Sequence, residues 1–562
     1  MKPLVVLLLC CVLVGGVSAQ DGGRGVVRTN YRDGAWDCDP YCDDFTQLTL
    51  PTLYARDPAT GLPTAAGAGN FGLVLNPGAG PVLHLRDDLT WGNGMPVTAY
   101  DVLYKYVIDA TTSYADADGL HVFNDFIAGA RLIDEYTLEL DFLDQTCAAP
   151  ARVNQALPLA HVRAPDFRAF VDAVGTPDEL LTLPEWIAAY RAYFAGRDAS
   201  RAPSLPLPGT PFQLVEAQSD QGLHLVSDDL AVVYSPAPAG MTPVERFLTG
   251  QTNLLLDVPF DRRADVRAAR DVQIAEMPGG SWDMLLFNLA DPTRPRDAFD
   301  EDGARRDQGQ HPLFGDLRVR RAVQLAINVD EVIESAFHGN ATPIAANYPP
   351  TSWAFDPDLA PLGYDPTEAE RLLDEAGWVD VDGDGVRNCY HCLYGTEGMD
   401  FYFMIGLDPQ LSQASSYAAA ESVSRQLRRV GIAAQISEAP SASLQEFDAY
   451  WFTFGAETAL NRDPDQAALW STAADVVDSA GNPGSYSNPR VDALLEQART
   501  LAGCDVEQRA ALYREVSALL QADQPAVWLY AQHEFYAARG IENFAPYPDN
   551  PLWNVTTWRV HP

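Results

Sequence analysis

Lysine is almost absent from this chain. Of its 38 basic residues only Lys2 and Lys105 are lysines, and 77 acidic residues leave a formal net charge of −39 over 562 residues. A surface of that sign repels nucleic acid and anionic lipid, so nucleic-acid binding is excluded as the activity. Long apolar runs are missing too: the one continuous stretch, Leu4 to Val14, falls short of the ~20 residues a membrane-spanning helix needs. The chain also lacks a Gly-x-Ser-x-Gly elbow and a His-Glu-x-x-His pair, since His533-Glu534 is followed by Phe535-Tyr536-Ala537. Serine hydrolase and zinc protease therefore have no motif to rest on, and pairs of carboxylates in so acidic a chain read as solvated surface. An enzyme is not expected; a secreted hydrolase is the contrasting class.

What is present begins with an export signal. Met1-Lys2-Pro3 precedes the Leu4–Val14 run, and Val17-Ser18-Ala19 offers small residues for cleavage before Gln20, the pattern of a signal peptide over 1–19. The expected location is outside the cytoplasm, periplasmic or attached to the cell envelope. Cys10 and Cys11 open a lipid-anchored alternative, but Leu8 and Leu9 stand where small residues usually precede a lipidated cysteine.

Cysteine is sparse, at 8 residues. Setting aside Cys10 and Cys11 leaves Cys38, Cys42, Cys147, Cys389, Cys392 and Cys504, an even set in an exported chain, which favours disulfides. Cys38 with Cys42 and Cys389 with Cys392 are close enough to bridge turns, leaving Cys147 with Cys504; this is one of 15 pairings open to six cysteines. Cys389-Tyr390-His391-Cys392 also invites zinc, but no second pair in the sequence completes a tetrahedron. Just before it, Asp380-Val381-Asp382-Gly383-Asp384-Gly385 matches the start of a calcium loop, with Asp380, Asp382 and Asp384 as alternating oxygen ligands. The twelfth position, usually Glu, is His391, so an acidic surface turn is the competing reading. A structural Ca2+ is the one cofactor the sequence offers.

Short apolar strands alternate with amphipathic helices, the pattern of α/β domains. Leu132–Phe142 alternates apolar and polar positions around an Asp-Glu turn, as a half-buried strand does. Asp365–Gly377 marks both ends of a helix, with an Asp N-cap, Pro at the first position and a Gly terminator. Asn488-Pro489 opens another helix, and Glu507–Leu520 is apolar at helical spacing. Ala202–Pro211 and Asp291–His311, rich in turn formers or charge, read as exposed connectors.

One segment is more particular. Leu83-His84-Leu85-Arg86 leads to Trp91-Gly92-Asn93-Gly94 and then to Thr98-Ala99-Tyr100-Asp101-Val102: a strand, a tight turn and a helix start at which Thr98 and Asp101 can cap. Arg86 and Trp91 read as scaffold. In order there follow Phe247–Asp257, Met284-Leu285-Leu286-Phe287-Asn288, Arg318-Val319-Arg320-Arg321-Ala322, Phe447-Asp448-Ala449-Tyr450, Asp463-Pro464-Asp465 and Tyr486-Ser487-Asn488-Pro489. This ordered set resembles the peptide- and nickel-type solute-binding proteins, bacterial extracellular solute-binding protein family 5. The resemblance implies a periplasmic-binding-protein fold, two α/β lobes around a ligand cleft with an extra α/β domain inserted in the first lobe. On that plan lobe I takes 20–55, 205–290 and 529–562, the inserted domain II takes 56–204, and lobe III takes 291–528.

It further implies a monomeric receptor that captures a small solute, a peptide foremost, and delivers it to the transmembrane subunits of an ABC permease. Sugar or metal chelate is the alternative ligand. Lobe closure on a solute requires convergent polar groups and aromatic walls but no nucleophile and no cofactor. In peptide-binding relatives an acidic residue in the loop after the Asp-Ala strand holds the ligand's amino terminus. Here that loop runs from Phe454 to Asp463, with Glu457 and Asp463 suited to an ammonium group and Arg462 to a carboxylate. Arg462 paired internally with Asp463 or Asp465 is the scaffold alternative. Trp282, Trp353, Phe454 and Tyr486 are the aromatic candidates for the cleft, and Asn288 a polar one.

Overall fold

The local signals form elements where they were placed. Asp365 caps the helix Pro366–Glu375 by accepting the Glu368 N–H at 3.0 Å, and Gly377 ends it at φ 84°. Asn488 caps α1 (Pro489–Arg499) in the same way, through the Arg490 N–H at 2.9 Å. Asp505 opens α2 (Val506–Asp523). The Asp101 carboxylate accepts the Thr98 N–H at 2.9 Å ahead of the helix Ala99–Ser113. Arg86 is tied to Asp88, and Trp91 is buried in a core, so both are scaffold.

In this computed structural model the described residues are 24–30, 48, 52–57, 60, 62–64, 74, 82–91, 93–113, 127–142, 146–152, 166–174, 181–193 and 212–218, followed by 222–560 except 410–412, 439–446, 455–462, 478–480 and 549. The signal segment, Cys38, Cys42 and Ala202–Pro211 lie outside them.

Several cores organise the chain. One is built from Trp91, Phe167, Phe170, Trp186 and their neighbours, packed on a four-stranded sheet ordered Val82–His84, Thr137–Phe142, Ile127–Asp134, Leu181–Thr182. The Leu132–Phe142 alternation is there the turn and second strand of an antiparallel hairpin. A second core joins distant parts of the chain: Val27, Phe212, Leu225, Val232, Tyr536 and Trp558. The sheet beneath it pairs Gly25–Thr29 in parallel with Leu230–Tyr234, then antiparallel with Gly222–Val226 and Gln213–Gln218. Two larger cores occupy the region from Trp282 to Ala531, on the two faces of one sheet.

That sheet carries the main architectural feature. β1 (Gln273–Phe287) lies between β2 (Ala449–Phe454) and β3 (Ala526–Ala538), with Tyr402–Leu407 and Ala433–Glu438 beyond β2. β1 and β3 are long enough to serve two cores. Their Gln273–Pro278 and His533–Ala538 halves run beside the second core, while Trp282–Leu286 and Ala526–Ala531 run through the larger pair. The register of the ladder shifts between Pro278 and Trp282, around Gly279 and Gly280. A proline cannot donate to a ladder and glycine adds no side chain, which suits a register shift at this point. A Cβ on Gly279 would stand 2.9 Å from the Gln532 carbonyl oxygen, so the close strand approach needs glycine there.

Asp291–His311 is the largely exposed connector expected, with Ala298, Gln308 and His311 as its buried points. Ala298 and His311 are fully buried, because the segment folds back on Asp475: the Ala298 N–H donates to the Asp475 carbonyl and the Gln308 amide to its carboxylate at 2.7 Å. Its ion pairs are local, Arg294 with Asp291 and Arg306 with Asp297, while the Gln308 amide reaches a partner 167 positions away in sequence.

Candidate functional site

β2 ends beside the strand crossing, where Trp282 and Phe454 are opposite one another in the ladder. Their rings stack with centroids 5.2 Å apart and planes 11° from parallel. Trp282 is buried and Phe454 half-buried, so Trp282 forms the floor beneath Phe454 and presents no open wall of its own. Tyr486 is likewise core. Its hydroxyl donates to Asp523 at 2.7 Å, and burial followed by that carboxylate raises its pKa. Asn288 is buried, and its side-chain oxygen accepts the Ala290 N–H at 3.0 Å, which shapes the turn after β1. Trp353, half-buried, packs over the Arg509 guanidinium at 5.2 Å and against Tyr513. The four aromatic candidates thus share one core beneath the strand ends.

Asp463 is placed differently from the expectation of an ammonium receptor. Both its oxygens are engaged by Arg509, at 2.7 and 2.8 Å, and the two side chains are 1% and 2% exposed. Burial pulls the Arg509 pKa down, but the hydrogen bonds and charge of Asp463 more than offset this and leave it raised. A carboxylate so matched has no lone pair directed to solvent, and Asp463 is scaffold. Asp465 is held in parallel by Arg499 at 3.0 Å, and the Pro464 carbonyl accepts from the Tyr348 hydroxyl at 2.6 Å. Asp463-Pro464-Asp465 is therefore a clamp fixing the chain that follows 455–462. Glu457 and Arg462 lie outside the described residues.

Sequence reading missed Arg509 and Asp283. Arg509 sits on α2 among residues of helical apolar spacing, so its only available signal was a charge on the apolar face. Asp283 interrupts the buried run Trp282–Phe287 and is completely buried. Gln532 donates to its Oδ2 at 3.2 Å, and among the described residues Oδ1 has no hydrogen-bond partner. Burial pushes its pKa up to about 6, against the opposing pull of Thr453, Tyr530, Gln532 and Trp451 around it.

Near the crossing a second polar group spans the lobes. Arg263 donates to the His533 carbonyl at 2.8 Å, Arg267 bridges Glu276 and Asn340 at 2.7 Å each, and Thr342 meets His533 Nε2 at 2.7 Å. Burial first, and the two arginines after it, lower the His533 pKa against the pull of Glu276. The Glu276 carboxylate stands 3.6 Å from His533 Nδ1 on the other side of the ring.

Asp380, Asp382 and Asp384 do come together, with ligand atoms all within 4.8 Å of one another. Each also accepts a backbone N–H from its own turn, and Gly383 and Gly385 adopt φ 78° and 86°. His391 at the twelfth position is turned outward, its side chain 77% exposed. Cys389 and Cys392 are disulfide-bonded, which removes the two thiolates a zinc site would need. Cys147 and Cys504 are bonded as well.

Two α/β lobes joined by a pair of crossing strands define a periplasmic-binding-protein fold, and solved structures of that kind match the chain along nearly its full length. The oligopeptide-binding protein AppA from Bacillus subtilis, in complex with a nonapeptide, aligns with TM-score 0.61 at 18% identity, covering 96% of this chain and 99% of that one. HbpA2 from Haemophilus parasuis aligns at TM-score 0.67 and 14% identity, covering 96% and 99%. The sequence matches the bacterial extracellular solute-binding proteins, family 5 Middle, over residues 82–477, and the chain belongs to that family. Among curated relatives, the dipeptide-binding protein of Escherichia coli is 23% identical over 447 residues, 75% of this chain and 69% of that protein. The AppA sequence of Bacillus subtilis is 25% identical over 257 residues, so that alignment spans less than half of either chain, 44% and 45%. Among the described residues no helix is long and apolar enough to cross a membrane.

Proposed function

We propose that this protein is the extracytoplasmic receptor of an ABC importer, which captures a peptide between its lobes and releases it unchanged to a permease. The observation that carries this reading is the pair of long strands, β1 and β3, that run from one core into two others, with a register shift between Pro278 and Trp282. Two packed bodies joined by such strands can close by bending at them, and a solute touching both lobes stabilises the closed form by its contacts in that form alone. The peptide assignment is supported by the named ligands of relatives, oligopeptide and dipeptide, and by the nonapeptide in the AppA structure. In this reading lobe I and the inserted domain move as one body against lobe III, and the chain is exported and monomeric.

Specificity then falls to the loop anchored by the Asp463–Arg509 clamp. Glu457 receives the peptide's ammonium group, Arg462 its carboxylate, and Phe454 is the aromatic wall, so the ligand is amphoteric. The test is thermal unfolding with and without a mixture of short peptides, followed by mass analysis of what remains bound. Mass action predicts about 2.7 kcal/mol of stabilisation at a hundredfold excess over the dissociation constant. Absence of any shift with peptides, beside a shift with a sugar or a metal chelate, would move the ligand class and leave the receptor reading in place.

A further inference from the structure

The Cys147–Cys504 disulfide joins two bodies that the hinge should let move apart. Cys147 lies five positions after the strand Thr137–Phe142, whose Leu138 and Leu140 pack in the core that holds Trp91, Phe170 and Trp186, and it precedes the short helix Ala149–Arg152. Cys504 stands in the turn between α1 and α2, whose Leu494, Leu495, Tyr513 and Val516 belong to a lobe III core. The bonded residues are 357 positions apart in sequence, with Cα atoms 5.5 Å apart. The contact is more than the bond alone: the Cys147 N–H donates to the Arg499 carbonyl at 2.8 Å. On the other side, Gly503 and Cys504 both take the left-handed conformation, at φ 78° and 51°, which turns the chain sharply between the helices. Glycine enters that region freely and cysteine does not, so the position of Cys504 is held by its surroundings.

Two rigid bodies connected only by a hinge can swing apart as far as the hinge permits. A second fixed point away from the hinge leaves only rotation about the axis through both points. We propose that Cys147–Cys504 is an interlobe latch that confines the receptor to a restricted opening, so that solute enters and leaves through a limited twist of lobe III. The latch grips the end of α1, where the Arg499 side chain also holds Asp465. Movement at the latch is therefore transmitted to the Asp463-Pro464-Asp465 clamp through one residue. This inference stands on the two-lobe fold and the bond, and does not depend on which solute is bound.

The experiment is small-angle X-ray scattering on the ligand-free full chain, comparing the oxidised protein with the Cys147→Ser/Cys504→Ser variant and with a Cys389→Ser/Cys392→Ser control. Wild-type protein treated with a dithiol reductant, which supplies the two electrons and two protons that turn the disulfide into two thiols, is the companion sample. The expected result is a larger radius of gyration and maximum dimension on loss of the Cys147–Cys504 bond, with the control unchanged. Superimposable curves for latched and unlatched protein would overturn the proposal. Loss of far-UV circular dichroism in both the variant and the reduced wild type would overturn it as well, because a bond the fold requires is not a latch. Solute binding is measured nowhere in this test, so its failure is distinct from failure of the peptide reading.

Discussion

Replacing Asp283 by asparagine removes one buried charge while keeping its shape, and the consequence can be worked out in sign and size. The Asp283 pKa is pushed up to about 6 from its ordinary 3.8, chiefly by burial. A carboxyl whose pKa is raised on folding binds more protons in the native state than in the unfolded state between those two values, so it lowers stability as pH rises through the window. Below pH 4 the group is neutral in both states and contributes nothing. Above pH 6 it is charged in both, and folding carries the full penalty of roughly two pKa units at about 1.4 kcal/mol each, near 3 kcal/mol. The Asp283→Asn variant has no such penalty, and its amide oxygen can still accept from Gln532.

Equilibrium urea unfolding of both proteins from pH 4 to pH 8, followed by tryptophan fluorescence, measures the difference directly. Other titrating groups cancel in it. The D283N variant is expected to match wild type near pH 4 and to gain on it progressively, reaching about 2–3 kcal/mol by pH 7. A difference that does not vary with pH, or a variant less stable than wild type at pH 7, would refute the assignment of a buried, proton-hungry carboxyl.

Other expectations concern the clamp and the loop it anchors. Arg509→Met strands the Asp463 carboxylate in a dry site and should cost about 3–5 kcal/mol by chemical denaturation, while Arg509→Met combined with Asp463→Leu should recover most of the loss. If the double variant is no better than the single, the pair is not an isolated unit. Arg462→Ala should weaken peptide binding by about 2 kcal/mol in a calorimetric titration and leave ligand-free unfolding unchanged. Unchanged affinity with a lowered melting temperature would assign Arg462 to the scaffold.

The fold was legible wherever the signal was local. The Asp365–Gly377 helix carries its own cap, first-turn proline and terminator within 13 consecutive residues, so no distant partner was needed to define it. The site was legible only in part. Asp463 looks like a free carboxylate in sequence because the arginine that neutralises it lies 46 positions on, on a helix whose spacing points to a core. Trp282 and Tyr486 stand out in the sequence as aromatic candidates for the cleft, but whether a ring faces a cleft or a core depends on the strand opposite, as the Trp282–Phe454 stack shows. Asp291–His311 reads correctly as largely exposed, and only the contacts of Ala298 and Gln308 with distant Asp475 are beyond what composition carries.

The central claim is reversible capture of a peptide without chemistry. The most direct measurement is mass spectrometry of the small molecules released on denaturing purified protein, repeated after incubation with an equimolar amount of the molecule so identified. The account predicts one bound peptide per chain, recovered at its original mass. Recovery of a cleaved or otherwise altered molecule would contradict it.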